Sequence, residues 1–290
     1  MTGLAIDPGI VGAQSPEEVR EVNARDTMNY AAAVGDMNPR YFDDAAASGV
    51  VAPPLYAVSA TWPVMIGLPE ILSGRVDPSI FAMMVHAGEQ LTFHRLIRPG
   101  ERLILRGRVA AVAPAGSGTL LTLRVEAKDS DGKPVFTEYA DAMLRQVECK
   151  GEGAEAETIP RLTFPNAKDT PLWETPVPVA PAAPYLYDGC ANIVFPIHTS
   201  QATAQAVGLP GVIVQGTAVL AMAARELVNR EGDGDPARLK ALACRFSGMV
   251  FPGTTISVRL VGRQGPLRAF DVLDGNGKAV LKNGVARIEA

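Results

Sequence analysis

Residues 91–100 read Leu-Thr-Phe-His-Arg-Leu-Ile-Arg-Pro-Gly, and residues 244–253 read Cys-Arg-Phe-Ser-Gly-Met-Val-Phe-Pro-Gly. The aromatic, the apolar pair and the Pro-Gly fall in one register. Each block runs into an alternating strand pattern, Glu101–Arg108 after the first and Thr254–Leu260 after the second. Each half then reaches an Asp/Gly hairpin signal, Asp131-Gly132-Lys133 and Asp274-Gly275-Asn276-Gly277-Lys278. Upstream, Pro39-Arg40-Tyr41 lines up with Pro196-Ile197-His198. The two blocks lie 153 positions apart (91 against 244), far beyond a solenoid repeat of roughly 20–50 residues. The pattern predicts two fused copies of one small domain. The copies differ at one telling place, because Tyr41 stands where the second copy has His198.

Composition narrows the field. The chain has 290 residues, 47% of them hydrophobic, enough for one large or two ordinary cores. Lys and Arg number 27 against 31 Asp and Glu, with no basic block, which argues against nucleic acid as a partner. A few local arginines would still serve a polyanionic small ligand. No apolar run reaches the ~18 residues of a membrane span, and the opening residues carry no basic-then-apolar signal pattern. Cys149, Cys190 and Cys244 are scattered, as in a reduced cytoplasmic protein. No CxxC or HExxH spacing occurs, so no metal is expected.

Along the chain, Ser15-Pro16-Glu17-Glu18 has the chemistry of a helix start, which predicts helix over 15–34. Gly35-Asp36-Met37-Asn38-Pro39 is loop chemistry, Asp43–Gly49 reads as a short helix, and Leu55–Ile66 as a long buried helix that Pro63 ends or kinks. Strands are expected between Leu91 and Arg145. Residues 147–184 turn charged, then proline-rich, and read as a linker running over the surface. A short helix over Ser200–Val207, a helix over Thr217–Arg230 and strands from Leu242 to Ile288 repeat the plan. The domains expected are therefore 1–146, a linker at 147–184, and 185–290.

The first copy carries Tyr30-x4-Gly35-Asp36-Met37-Asn38-Pro39-Arg40-Tyr41, then Asp43-Asp44-x2-Ala47-x-Gly49 and Pro53-Pro54-Leu55-Tyr56-Ala57. His86-x-Gly88-Glu89-Gln90-x2-Phe93 leads to Arg98-Pro99-Gly100. The second copy offers Phe195-Pro196-Ile197-His198, Gly208-Leu209-Pro210-Gly211 and Val214-Gln215-Gly216-Thr217. This order of motifs resembles the MaoC-like hydratase/dehydratase family, the (R)-specific enoyl-CoA hydratases. The second copy also resembles the related fatty-acid-synthase-type dehydratase branch. The resemblance implies an α+β double hotdog: two curled antiparallel sheets, each wrapping a long central helix. It implies water added to or removed from the 2,3 double bond of an acyl thioester, carried by coenzyme A or acyl carrier protein, with no cofactor. The family's catalytic pair is an Asp and a His five residues apart, and neither copy has both. The first keeps Asp36 but has Tyr41, and the second keeps His198 but has Ile193.

The chemistry needs a base for water, a proton for C2 and a donor for the developing enolate oxygen. A histidine of intermediate pKa suits the proton steps. A helix N-terminus suits the oxygen, and a glycine there admits a thioester to the backbone. We therefore expect His198 as acid/base residue and the Gly216 N–H as carbonyl donor. Asn192 is expected to position water, orient the histidine or simply hold a loop, and Asp188 to replace the missing carboxylate or close a turn. Gln215, Asp36, Asn38, Tyr41 and Arg245 are expected around the substrate, with capping or turn closure as the alternative for Asp36 and Asn38, and the first copy acting as support for an acyl tunnel. For Gly216, close helix packing is the competing explanation. For His86 and His94, solvent or loop packing is expected; for Cys190, Trp62 and Trp173, packing. Arg245 and Arg259 face solvent or the phosphates of coenzyme A.

Two rival functions stay open. One is thioester hydrolysis, which hotdog domains also support. The other is a non-catalytic acyl-thioester-binding subunit, since the pair is split between copies. Open sheet edges make a homodimer plausible.

Overall fold

The computed structural model describes residues 3–165, 167 and 170–289. The outermost expected domain limits, Met1 and Ala290, lie outside the described residues, as do Asn166, Lys168 and Asp169 of the stretch read as a linker. In chain order the first half comprises β1 (Ala5–Ile6), β2 (Glu18–Glu21), α1 (Ala24–Ala33), α2 (Pro39–Phe42), α3 (Tyr56–Ile66), α4 (Leu68–Ile71), β3 (Met84–Phe93), β4 (Arg102–Ala115), β5 (Gly118–Lys128) and β6 (Pro134–Arg145). There follow β7 (Glu148–Cys149), β8 (Ala154–Glu155), β9 (Trp173–Pro178), α5 (Ala183–Ala191), α6 (Gln201–Ala206), α7 (Gly216–Glu231), β10 (Leu239–Phe246), β11 (Thr255–Gln264), β12 (Leu267–Leu273) and β13 (Ala279–Ile288).

The expected pair of separate curled sheets is replaced by one open eleven-stranded sheet, ordered β2-β4-β5-β6-β3-β10-β13-β12-β11-β9, with β8 beside β4. The two halves fuse where β3 meets β10, antiparallel. There Gln90 pairs with Ala243, Glu89 with Cys244 and Leu91 with Leu242. Because Leu91 corresponds to Cys244 in the repeat, Gln90 is paired with its own counterpart. The seam is therefore isologous, as at a two-fold axis between subunits. Tyr30 and Tyr187 obey the same symmetry: each lies eleven positions before Tyr41 or His198, and their hydroxyls meet at 3.2 Å.

The helices α3 and α7 are the apolar cores of the two halves. Tyr56–Thr61 and Thr217–Ala224 are buried along their whole length, which fits helices covered on all sides. Pro63 sits inside α3 near its end, as the sequence suggested. The two hairpins repeat in detail. Asp129 Oδ1 accepts from the amides of Asp131 and Lys133, and Asp274 Oδ1 from those of Asn276 and Lys278.

Three local expectations give way. The helix expected from Ser15 starts at Ala24, capped by Asn23 Oδ1, because Glu18–Glu21 is drawn into the sheet against Leu103–Leu105 and Arg102. The short helix expected over 43–49 is turn, and the helical residues there are Pro39–Phe42, capped by Asn38. Residues 147–184 pack far more than a surface linker. Here β7 pairs β1, β8 pairs β4 and β9 pairs β11, with Val147 and Val177 buried. Both open edges are blunted. The strand β2 is four residues of alternating charge and β9 carries Pro176 and Pro178, devices that disfavour edge pairing.

Candidate active site

The second copy's loop is built outward from α5. That helix ends at Ala191, and Asn192 closes it in the left-handed conformation (φ 53°), which asparagine tolerates better than most residues. The Ala191 carbonyl accepts from Ser59 Oγ of α3 at 2.5 Å, buried, so the first copy's central helix holds the loop. Pro196 then starts a 3-10 turn that ends at His198. Its Nδ1 lies 2.8 Å from the Ile213 carbonyl oxygen. A carbonyl only accepts, so Nδ1 donates and Nε2 of the neutral ring keeps its lone pair. The half-buried imidazole is pushed below the usual histidine range by desolvation, opposed by the Ile213 carbonyl and then by the Asp188 charge. Asp188 Oδ1 is buried without a hydrogen-bond partner. Phe195 is 44% exposed; its ring lies 6.3 Å from that of His198 and 6.5 Å from that of Trp62 on α3.

Three residues after Ile213, α7 begins at Gly216. Its first N–H groups have no intrahelical acceptor, and Gln215 supplies no side-chain cap. A Cβ on Gly216 would sit 2.9 Å from the Phe246 ring. Both explanations of this glycine thus operate: the helix end is bare, and the aromatic next to it needs the space. The Tyr187 hydroxyl bonds Thr217, one residue on.

The structure brings Asp188, His198 and, through Ile213, Gly216 into one region. It gives other expected residues different work. Gln215 is buried and donates to the Pro184 carbonyl at 3.0 Å, bracing the start of α5 instead of facing a substrate. Asn192 is exposed, and its side chain makes no hydrogen bond among the described residues. Arg245 is exposed on β10. Arg259 pairs with Asp271 through two bonds of 2.8 and 2.7 Å.

The first copy's counterpart is filled. Tyr41 is fully buried with its hydroxyl unpartnered. Tyr41 and Asp36 face Ala221, Ala224 and Arg225 of α7 across a void of only about 10 Å3, less than one water needs. Burial raises the Asp36 carboxyl to about 6, against the lowering effects of the Asn38 amide and Arg225. Asn38 caps α2 and donates to the Gly234 carbonyl at 2.7 Å, stitching the halves. In the structure Asp36 and Tyr41 thus pack against α7 and Asn38 caps α2. A cavity of about 590 Å3 opens beside them, lined by Asn38, Arg40, Arg225 and Asp233 among others. Its charges are mixed and no histidine lines it.

Sequence reasoning missed a cluster on the seam. His86 Nε2 lies 3.2 Å from Glu89 Oε2, and the Glu89 side chain is fully buried. Glu138 is buried beside it, near Thr61 of α3. The signal was present in His86-x-Gly88-Glu89, but an acid on a strand reads as solvent-facing until the covering helix is known. His94, by contrast, bonds only Thr137 in an exposed setting. Cys149, Cys190 and Cys244 are unpaired thiols. No group able to hold a metal occurs among the described residues, and no helix is long and apolar enough to cross a membrane.

Comparison with known proteins agrees with this plan. Residues 9–138 match the FAS1-like dehydratase domain region and residues 164–269 the MaoC-like domain. The fatty-acid-synthase-type likeness therefore falls on the first copy, not the second. The chain is 27% identical over 272 residues to 3-hydroxyacyl-thioester dehydratase Y of Mycobacterium tuberculosis, covering 92% of this chain and 90% of that one. It superposes on the crystal structure of a MaoC-like dehydratase from Phytophthora capsici with a TM-score of 0.84 at 22% identity, covering 97% of this chain and 96% of the other. A Mycobacterium tuberculosis protein described as having a double hotdog fold superposes with a TM-score of 0.60 at 17% identity, over 96% of both chains. The chain thus carries a FAS1-like dehydratase region followed by a MaoC-like domain, is similar along most of its length to a 3-hydroxyacyl-thioester dehydratase, and shares the fold of MaoC-like dehydratase structures.

Proposed function

We propose that this chain is a hydro-lyase that adds water to 2-enoyl thioesters and removes it from 3-hydroxyacyl thioesters, with its chemistry at His198. The single observation that carries the site is the His198 ring fixed on the Ile213 carbonyl, three residues before the bare N-terminus of α7. In the hydration direction, Nε2 takes a proton from water as its oxygen bonds to C3. The π electrons move toward the thioester, and the enolate oxygen is met by the Gly216 N–H at the positive end of α7. A proton then adds to C2. Asp188 supports the imidazolium electrostatically, in place of the carboxylate that Ile193 lacks. Asn192, Gln215 and Arg245 are outside this scheme.

The carrier is coenzyme A or acyl carrier protein, and the compartment is cytoplasmic. Residues 1–146 support and 185–290 catalyse, with 147–184 joining them. A homodimer would use a face other than the blunted edges β2 and β9.

Incubation with crotonyl-CoA tests the function. Loss of the enoyl absorbance without thiol release is expected, and butyryl-CoA should release no thiol. Thiol release from butyryl-CoA would establish a thioesterase instead. Binding of both without turnover would establish a non-catalytic acyl-thioester-binding subunit.

A further inference from the structure

Two series of contacts lead from His198 to His86. From His198 one runs to Phe195 and Trp62, to the adjacent Thr61, and from Thr61 to Glu138. Glu138 meets Glu89, and Glu89 meets His86 at 3.2 Å. The His86 ring lies 4.7 Å from that of Phe246, which packs on Gly216. Ile213, three residues before Gly216, joins this second series to His198. Contacts thus lead from His198 to His86 along both paths, and the His86 side chain is 32% exposed.

Glu89 and Glu138 are diagonal neighbours on one sheet face, since Glu89 pairs with Ala140 and Leu91 with Glu138. Neither side chain has a hydrogen-bond partner that could neutralise two negative charges, so the pair retains a proton between its members. Asp141 on β6, paired with Arg161, and Cys244 on β10 are the other titratable groups against it, together with the Tyr30 and Tyr187 hydroxyls. The fold itself does not demand this arrangement. In the second copy the repeat places Leu239 and Leu242 at the positions of His86 and Glu89, and both leucines are buried. An apolar solution thus exists at the same strand positions, and the first copy departs from it.

We propose that His86, backed by the Glu89–Glu138 pair, is a second acid/base residue of the His198 cleft, which delivers the proton to C2 while His198 takes one from water. This rests on the hydro-lyase reading above. In hydration, the C3–O bond forms as His198 Nε2 receives the water proton. Burial holds the His86 ring below the usual histidine range, so it is neutral at rest. The C2–H bond forms as the His86 Nδ1–H bond breaks while Nε2 takes the proton of the carboxyl pair, and the ring stays neutral. His198 then releases its proton to solvent and the carboxyl pair takes one up through His86, so no net proton is gained or lost. In dehydration the roles reverse. The division also explains how the cleft works with only His198 in the second copy's motif.

The chain has three histidines, so their ring signals can be followed individually by NMR, assigned with His86→Gln and His94→Gln. The probe is butyryl-CoA, which binds but has no double bond to hydrate. The His86 and His198 signals are expected to move together while that of His94 stays. His86→Gln is expected to lower kcat for crotonyl-CoA by at least about tenfold with KM changed less than about threefold, while His94→Gln keeps wild-type activity. Movement of His198 alone, with full kcat in His86→Gln, overturns the inference and leaves the hydro-lyase reading standing. Absence of hydration by the wild type overturns that reading, and the inference with it. Should His86→Gln fail to fold, the wild-type titration decides by itself.

Discussion

His198 and Ile213 are joined by a bond from an imidazole nitrogen to a main-chain carbonyl, 2.8 Å long. The bond fixes the tautomer, leaving Nε2 with its lone pair free to accept a proton. Replacing His198 by Gln removes the base and leaves the surrounding loop, which is held from elsewhere by Ser59. We expect kcat for crotonyl-CoA to fall by about 10²–10⁴, the usual worth of a positioned acid/base group, with little change in KM. Steady-state kinetics decide this, and a variant within a few-fold of wild type would remove His198 from the mechanism.

Asp188 acts on the same ring from a distance. Its charge raises the His198 pKa, against the larger lowering by burial. In Asp188→Asn that support disappears and the pKa falls further. With His198 as the neutral base of the proposed mechanism, kcat/KM rises with pH through its pKa, so the acid limb of the profile should move to lower pH in the variant. The plateau should drop as well, because the imidazolium formed during turnover loses its counter-charge. An unmoved limb would show that Asp188 is a turn residue only.

Much of this was legible in the chain and some was not. The repeat itself is visible because Phe-x5-Pro-Gly and the Asp-Gly hairpins obey local backbone rules, and those rules hold in both copies. The helix α7 was placed within one residue at each end, since apolar spacing and the Gln215-Gly216 start are also local. The seam was invisible. Whether β3 pairs with β10, making one sheet from two, depends on long-range contacts that no local pattern encodes. The bond from Gln215 to the Pro184 carbonyl, 31 positions away, is hidden for the same reason. Glu89 and Glu138 are hidden too, because burial of an acid is decided by what covers the strand. Tyr41 was the informative failure. Its mismatch with His198 was clear, but only packing against Ala221 and Ala224 shows that the first copy's cleft has been filled.

Gly216 and Phe246 set a steric limit on the helix end. A methyl at residue 216 would approach the ring to 2.9 Å, closer than packed side chains tolerate, so Gly216→Ala must displace Phe246 or tilt the start of α7. A cost of about 1–3 kcal/mol in stability is expected, with a loss of kcat as the donor N–H moves. Trimming the ring in Gly216→Ala/Phe246→Leu should recover most of the lost stability. Chemical denaturation of the single and double variants measures the coupling. Additive effects would mean that the two residues do not share this space.

Asp36 stores an electrostatic cost in the first copy. Its carboxyl is raised from 3.8 to about 6 mainly by burial, so the folded chain holds this proton more tightly than the unfolded one. The folded state is therefore favoured while Asp36 is protonated. That advantage is lost as pH climbs from about 4 to about 6, and above this range the buried charge weighs on the fold. A rise of this size corresponds to about 3 kcal/mol as an upper bound. In Asp36→Asn the side chain stays neutral at every pH, and its oxygen can still accept from the Asn38 amide, a bond of 3.2 Å in the wild type. The variant should exceed the wild type in unfolding free energy by about 1–3 kcal/mol at pH 7.5, and the gap should close by pH 4. Urea melts of both proteins across this range give the difference directly, free of the other titrating groups they share. A gap that is constant with pH would mean that Asp36 is not the group being neutralised, and a gap of opposite sign at pH 7.5 would mean that Arg225 compensates its charge fully.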